Sequence, residues 1–332
     1  MKNREPSKYL NKLETLNRRL IQTHPNRSWV EEEYKKQKAG FKGEQELDYY
    51  LSFLPKKDSI TLPNIRLRQK DSDYFFQLDS VALTTKCILT FDSKHLSGEI
   101  TFNAATKQLF RINVDGLTEI FKNPIEQAYQ HRYQLKKHFE KDFPEIPIFS
   151  FAIFTHPKSV LKSTTQNEKL PNNMMRADCL PKMLIELMNS DTKKDIFDKK
   201  TLNQIAKYLI KNDVPYNPDV LEKFNISEEH IIKGVHCPVC FHISMQRKNS
   251  GKWLCPQCKY ENVNAHIYSI NDFIYLFGEY TTNKQLREFL CLPSRIASYR
   301  SIKRANVKQY GSKKGTYYHL TLQHPNPTQT KH

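Results

Sequence analysis

Apolar residues along the chain change spacing several times, and each change predicts an element. In "GFKGEQELDYYLSFL", Leu47, Leu51 and Leu54 recur at helical spacing before Pro55 stops the run, which predicts a helix with Glu44 near its buried face. "NIRL", "YFFQLDSVAL" and "CILTFDSK" then have strand character, the last two joined by a polar turn at 84–86. "EITFN" and "KQLFRINVDG" predict a hairpin. "NPIEQAYQHRYQLKKHF" opens a helix well: Asn123 caps it, Pro124 takes the first helical position, and Glu126 is placed for a capping box. The continuous apolar run "IFSFAIF" reads as a strand buried on both faces.

Helix, antiparallel strands, helix and buried strand predict an α/β core, a mixed sheet flanked by helices. After it, 156–200 is loop-rich and "STTQNEKLPNN" an exposed excursion, with helical pieces at 181–187 and 200–210. Before it, the charged stretch 2–38 predicts one or two peripheral helices broken near Pro25, with no chemistry assigned. No internal repeat is evident.

Composition adds a partner class. The 332 residues suit one sizeable domain and one or two small ones, and 38% hydrophobic with 11% aromatic residues supplies real cores. Lys and Arg outnumber Asp and Glu by 52 to 35, and the resulting +17 favours polyanions. No apolar run approaches the roughly 18 residues of a spanning helix, and "MKNREPSKYL" lacks a signal-peptide core, so a cytoplasmic protein without a membrane partner is expected. Of seven cysteines, four form two CxxC pairs, while Cys87, Cys179 and Cys291 stand alone as reduced thiols.

On a strand, residues two apart share a face, so Asp92 and Lys94 of "FDSK" are neighbours. A hairpin with the preceding strand brings Asp79 of "QLDS" beside Asp92. Two such carboxylates repel unless a cation lies between them, and a hard ion such as Mg²⁺ suits oxygen ligands and a substrate phosphate. With Lys94 holding a water, the set points to phosphodiester hydrolysis. A lone acid and lysine at this spacing are otherwise an ordinary solvated pair, and isolated histidines such as His95 and His131 are left outside the site.

Glu44 in "GFKGE", Asp79 in "QLDS", Asp92 and Lys94 in "FDSK", the glycine of "LSGEI" and "NPIEQ" together resemble the nuclease-related domain, a branch of the PD-(D/E)xK endonuclease superfamily. The resemblance spans about Gly40 to Phe154. It implies a restriction-endonuclease-like core, a Mg²⁺ (or Mn²⁺) site from Glu44, Asp79 and Asp92, Lys94 as the catalytic lysine, and Gln127 as a helix-borne accessory residue. Two positions depart from the pattern: Leu78 stands where the superfamily has proline, and Asp92 where this branch more often has glutamate.

Cys237-x2-Cys240 and Cys255-x2-Cys258 match a four-thiolate structural Zn²⁺ site on a zinc ribbon, with "KNSGKWLC" a hairpin returning to the second knuckle. His236 and His242 flank the first pair, but four cysteines suffice; whether the ribbon meets DNA or protein stays open. From Lys284 to His332, ten Lys or Arg face one acid, Glu288, giving +9 of the +17. "SINDFIYLFGEY", "TNKQLREFLCL" and "RIASYRSIKR" predict three helices and "VKQYGSKKGTYYHLTL" a hairpin, which resembles a winged helix-turn-helix. Arg295, Tyr299, Arg300, Lys303 and Arg304 would then meet the groove or its phosphates, and Lys313 and Lys314 the backbone beside it.

The expected organisation is a charged helical segment at 1–38, a nuclease-related α/β domain at 39–215, a zinc ribbon at 230–268, a winged-helix-like module at 269–324 and a tail at 325–332. The expected function is a metal-dependent DNA nuclease, with RNA and a homodimer both compatible. The competing account is a non-catalytic DNA-binding protein that keeps the nuclease fold as a scaffold; an adaptor with generic charge is weaker than either.

Overall fold

The computed structural model describes residues 4–113, 116–143, 145–164, 169–189, 195–248, 250–305 and 307–323, with only the backbone of Lys314. The 325–332 tail, residues 165–168 of the excursion and the Lys314 side chain lie outside the described residues. The chain forms two compact units, Met1–Pro6 with Gln37–Tyr216, and Ser7–Lys36 with Asn217–His332. The charged segment 1–38 is thus shared between them.

In chain order the elements begin with α1 (Lys8–Arg19), α2 (Arg27–Leu51), β1 (Ser59–Arg68), β2 (Phe75–Thr84), β3 (Ile88–Lys94), β4 (Gly98–Asn103), β5 (Gln108–Ile112) and β6 (Thr118–Phe121). They continue with α3 (Pro124–Phe139), β7 (Ile148–Phe154), β8 (Ser159–Ser163), β9 (Met174–Arg176), α4 (Leu180–Asn189) and α5 (Lys199–Lys211). Helix α2 starts well before Gly40, because Glu, Lys and Gln dominate residues 31–38 and are good helix formers.

The first unit is built on a five-stranded sheet ordered β1-β2-β3-β7-β9. Strands β1, β2 and β3 are antiparallel; β7 lies parallel to β3 and β9 parallel to β7. One face buries Leu89 and Phe91 under Leu47, Leu51 and Leu54 at the end of α2, together with Leu180 and Leu184 of α4. The other buries Leu78, Val81, Leu83 and Ile88 under Leu135 and Phe139 of α3 and Leu202, Ile205 and Leu209 of α5. Each fully buried Leu or Phe contributes roughly 1.5–3 kcal/mol. A second sheet, ordered β6-β5-β4-β8, closes over Ile100, Phe102 and Leu109. Strands β6, β8 and β9 were not expected; they are three to five residues long and lack clear alternation.

The second unit adds α6 (Val220–Lys223), β10 (Gln246–Arg247), β11 (Trp253–Leu254), β12 (Glu261–Asn262), α7 (Ala265–Phe277), β13 (Tyr280–Thr281), α8 (Asn283–Phe289), α9 (Arg295–Arg304), β14 (Lys308–Tyr310) and β15 (Tyr317–His319). Its sheets are β10-β11-β12 and β13-β15-β14. Helix α1, expected to be peripheral, buries Tyr9, Leu13 and Leu16 in this unit's core. Its charges have buried partners too: Arg19 Nε lies 2.7 Å from Asp272 Oδ2 and Arg18 donates to Oδ1 at 2.6 Å. Arg19 also donates to the carbonyls of Ile232 and Gly234. Burial alone would push the Asp272 carboxyl up, but Arg19 and His236 outweigh it and hold it far below the usual range. Among the described residues no helix is long and apolar enough to cross a membrane.

Candidate active site

Strands β2 and β3 part company at the point where the expected site residues stand. Their ladder runs to the pair Ser80 and Phe91, so one further step of the same register would set Asp79 opposite Asp92. Strand β3 instead follows β7, with Asp92 beside Ala152 and Lys94 beside Phe154. The Ser93 N–H, freed from a ladder partner on β2, donates to Asp79 Oδ2 at 2.8 Å, and Ser93 Oγ donates to the same oxygen at 3.1 Å. Asp79 thereby closes the fork.

Asp92 is 5% exposed and faces α3. Lys94 Nζ sits 2.5 Å from Asp92 Oδ2. Gln127 joins both: its Nε2 donates to Asp92 Oδ1 at 3.0 Å, and its Oε1 accepts from Lys94 Nζ at 3.0 Å. Gln127 lies in the first turn of α3, where Asn123 Oδ1 accepts from the Ile125 and Glu126 N–H groups and Pro124 begins the helix as expected. The cap fixes where the helix starts, and so where Gln127 points.

Glu44 approaches from α2. A Cβ on Gly43 would meet His95 Cβ at 2.7 Å and Thr155 Oγ1 at 2.9 Å, so this residue must be glycine for α2 to lie against the end of β3. Glu44 Oε2 accepts from Arg4 at 2.9 Å. Arg4 is itself buried, gripping Asp48 through two hydrogen bonds, the Asp79 carbonyl at 2.9 Å and Ser80 Oγ at 2.7 Å. Asn64 of β1, in a left-handed conformation with φ 51°, also hydrogen-bonds Glu44.

Two carboxyls here are hard to ionise. Burial, then the charge of Asp79, pushes Asp92 up to about 6 against the pull of Lys94. Burial, then Asp79 again, pushes Glu44 up to about 7 against Arg4 and Asn64. Asp79 is the shared negative neighbour, and a cation among the three would remove that cause. Asp92 Oδ2 is buried, and its partner is the Lys94 ammonium at 2.5 Å. Three neighbouring carboxyls, two of them made hard to ionise, supply the oxygen donors that a hard divalent ion takes. The three carboxylates do not form a gathered group as the four cysteines do, and Arg4, Ser93, Lys94 and Gln127 bond their oxygens.

Sequence reasoning missed Arg4, Ser93 and Asn64. His131, left outside the site, lies within electrostatic reach of Asp79 and Lys94, and burial keeps its pKa low. His95 shares a hydrogen bond with Thr155 at 3.1 Å and lies edge-on against His156.

In the second unit the four cysteines do gather: ligand atoms of Cys237, Cys240, Cys255 and Cys258 all lie within 4.8 Å of one another. They are the one such group of His, Cys, Asp or Glu among the described residues. Both knuckles turn alike, with the residue after the second cysteine left-handed, Phe241 at φ 60° and Lys259 at φ 62°. His242 bonds Ser244 and His236 bonds Asp272 and Ser269, so neither competes for an ion. A tetrahedral Zn²⁺ suits four thiolates at this spacing.

Helix α9 buries Ala297, Ser298, Ser301 and Ile302 and leaves Arg295, Tyr299, Arg300, Lys303 and Arg304 exposed. Among the described residues none of these four cations forms an ion pair; Lys303 lies over the Tyr299 ring at 5.1 Å. Arg247 of β10, which sequence reasoning did not single out, has its pKa lowered by burial and by Arg304 and Arg300, so the three guanidinium groups lie within electrostatic reach of one another. Lys313 is exposed in the β14–β15 turn.

Residues 39–155 match the family model of the nuclease-related domain, which takes in Glu44, Asp79, Asp92, Lys94 and Gln127 and stops short of the cysteines. No curated protein and no solved structure matches the chain. The first unit therefore holds a nuclease-related domain over residues 39–155, with the PD-(D/E)xK-like fold that this family implies.

Proposed function

We propose that this protein is a metal-dependent nuclease that hydrolyses phosphodiester bonds in DNA. The observation that carries the reading is the Asp92–Lys94–Gln127 triangle beside Asp79 at the fork of β2 and β3. Asp79 and Asp92 would hold Mg²⁺ or Mn²⁺, with Glu44 as the third carboxylate. Such an ion supplies charge neutralisation at phosphorus and lowers the pKa of a bound water. Lys94 presents its ammonium to the attacking water and the phosphate oxygens, and Gln127 keeps it aimed by bonding both partners of the ion pair. Zn²⁺ at the four cysteines holds the ribbon together, and the second unit delivers the chain to DNA. Helix α9 with the β13-β15-β14 sheet serves as a winged-helix-like module, its cations matching phosphates as Arg and Lys do in such contacts. Arg247 adds the ribbon to that surface.

A second reading has one observation in its favour. Arg4 and Lys94 already neutralise Glu44 and Asp92, which is how a site retained only as a scaffold would be stabilised. Incubating the zinc-loaded protein with supercoiled plasmid, linear duplex and single-stranded DNA, with Mg²⁺, with Mn²⁺ and without either, separates the two. Cleavage that needs the added ion and disappears in Asp92→Ala supports the nuclease. Binding without cleavage under every condition supports the scaffold.

A further inference from the structure

The outer face of the β13-β15-β14 sheet presents a row of aromatic rings that the core does not use. The register sets Tyr280 beside His319, His319 beside Lys308, and Tyr310 beside Tyr317, all on one face. The alternate residues, Thr281 and Tyr318, are buried on the other face. Tyr310 and Tyr317 stack at 5.4 Å with planes 14° apart, Tyr317 lies 6.1 Å from Tyr280, and Tyr280 lies 4.9 Å from His319. Tyr280 is 63% exposed, Tyr310 42% and Tyr317 41%.

Three exposed tyrosine rings in a continuous row with the half-buried His319 are unusual for a surface without a partner. Tyr combines an apolar ring with a wet hydroxyl, so the row is soluble yet ready to stack. Its surroundings select the partner: Lys308 shares the face, Lys313 sits in the adjoining turn, and residues 284–332 carry ten Lys or Arg against Glu288. Glu279, the other nearby acid, is engaged with His319 at 3.3 Å. Stacking rings in a positive field are what unpaired bases on a phosphate backbone bind, since every base has a π-face.

We propose that this face is a stacking platform for unpaired bases of single-stranded nucleic acid, separate from the exposed cations of α9. The proposal rests on the nucleic-acid reading of the second unit, and not on the cleavage chemistry.

The test uses the full zinc-loaded chain with no added Mg²⁺ or Mn²⁺, a fluorescein-labelled oligo(dT) of on the order of 12 nucleotides, and a labelled duplex of equal length. Tyr317→Ala and Tyr280→Ala should each weaken oligo(dT) binding about 5- to 100-fold, the range of one lost base stack. Tyr317→Phe should restore it, and duplex binding should change little. Both positions are well exposed, and unchanged zinc content with an unchanged circular dichroism spectrum verifies folding. Wild-type-like oligo(dT) affinity in both alanine variants overturns the platform while leaving duplex binding as a separate result. Equal loss on duplex and oligo(dT) overturns it in favour of a general nucleic-acid contact. Dissociation of a dimer by Tyr317→Ala in sedimentation, with oligo(dT) affinity intact, overturns it in favour of self-association. Failure of the wild type to bind either nucleic acid overturns both this inference and the reading beneath it.

Discussion

The four cysteines and the three carboxylates are both candidate metal centres, yet one is assembled and the other is held apart. Thiols are neutral when protonated, so Cys237, Cys240, Cys255 and Cys258 can sit within 4.8 Å of one another at little electrostatic cost. Carboxylates cannot do this, and the raised pKa values of Asp92 and Glu44 reflect burial first and then repulsion from Asp79. The protein manages that charge with its own cations, Lys94 beside Asp92 and Arg4 beside Glu44. A structural site can be preassembled; on the nuclease proposal, the carboxylate site keeps exchangeable partners in place until an ion and a substrate arrive.

The largest expected effect is at the cysteines. Cys255→Ser should abolish zinc retention and unfold the ribbon, removing an interaction on the order of 10 kcal/mol, as read by metal analysis and protease sensitivity of residues 235–262. Retained zinc at full stoichiometry would break the comparison on that side. Next, Asp92→Ala should lower metal-dependent cleavage about a thousandfold while leaving DNA affinity near wild type, as measured by single-turnover kinetics and anisotropy. Equal loss of affinity and rate would mean that Asp92 serves the fold.

Arg4 comes third. Arg4→Met leaves Glu44 and Asp48 without their buried counter-ion and should cost about 3 kcal/mol in urea unfolding of the first unit. A wild-type midpoint would show that the arginine does not manage the carboxylate charge. The effect of pH is gentler. Asp92 and Glu44 have folded pKa values of about 6 and about 7, above their ordinary carboxylate values, so between pH 7 and pH 4 the folded state binds more protons than the unfolded state. Those two groups therefore contribute stability that grows as pH falls from 7.5 to about 5.5, while His131, His138, His236 and His266, with pKa values lowered by burial, act in the opposite direction. The pH trend of the wild type relative to Asp92→Asn isolates the carboxyl contribution, and added Mg²⁺ should flatten that relative trend by competing with those protons. Asp272, with its depressed pKa, affects stability only below that window. A stability advantage of the wild type over Asp92→Asn that fails to grow on acidification in Mg²⁺-free buffer would contradict the assignment. The smallest effect belongs to single cations: Arg300→Ala and Arg247→Ala should each reduce the slope of log affinity against log salt by about 1 on duplex DNA.

Much of the first unit can be read from short-range pattern. Asn123-Pro124 announces α3, strand alternation puts Asp92 and Lys94 on one face, and adjacent strands bring in Asp79. These features depend on neighbours a few residues away. Arg4 does not: its partners lie 40 to 76 residues further on, and a lone arginine in a charged segment looks like surface. Arg19 and Asp272 are invisible for the same reason, since each reads as a solvated charge until packing buries both. Charge also made α1 look peripheral, although its Tyr9, Leu13 and Leu16 stripe belongs to a core. The convergence of Arg247 on Arg300 and Arg304 arises because a ribbon strand and a helix more than 40 residues apart meet in the fold.

Binding of Mn²⁺, followed by electron paramagnetic resonance on the zinc-loaded protein, addresses the carboxylate site without requiring any knowledge of the substrate. The wild type should take up Mn²⁺ saturably, and Asp79→Asn and Asp92→Ala should each abolish that uptake while zinc stays bound. Mn²⁺ uptake unchanged by either substitution, or none in the wild type at millimolar ion, would contradict a metal site at the fork of β2 and β3.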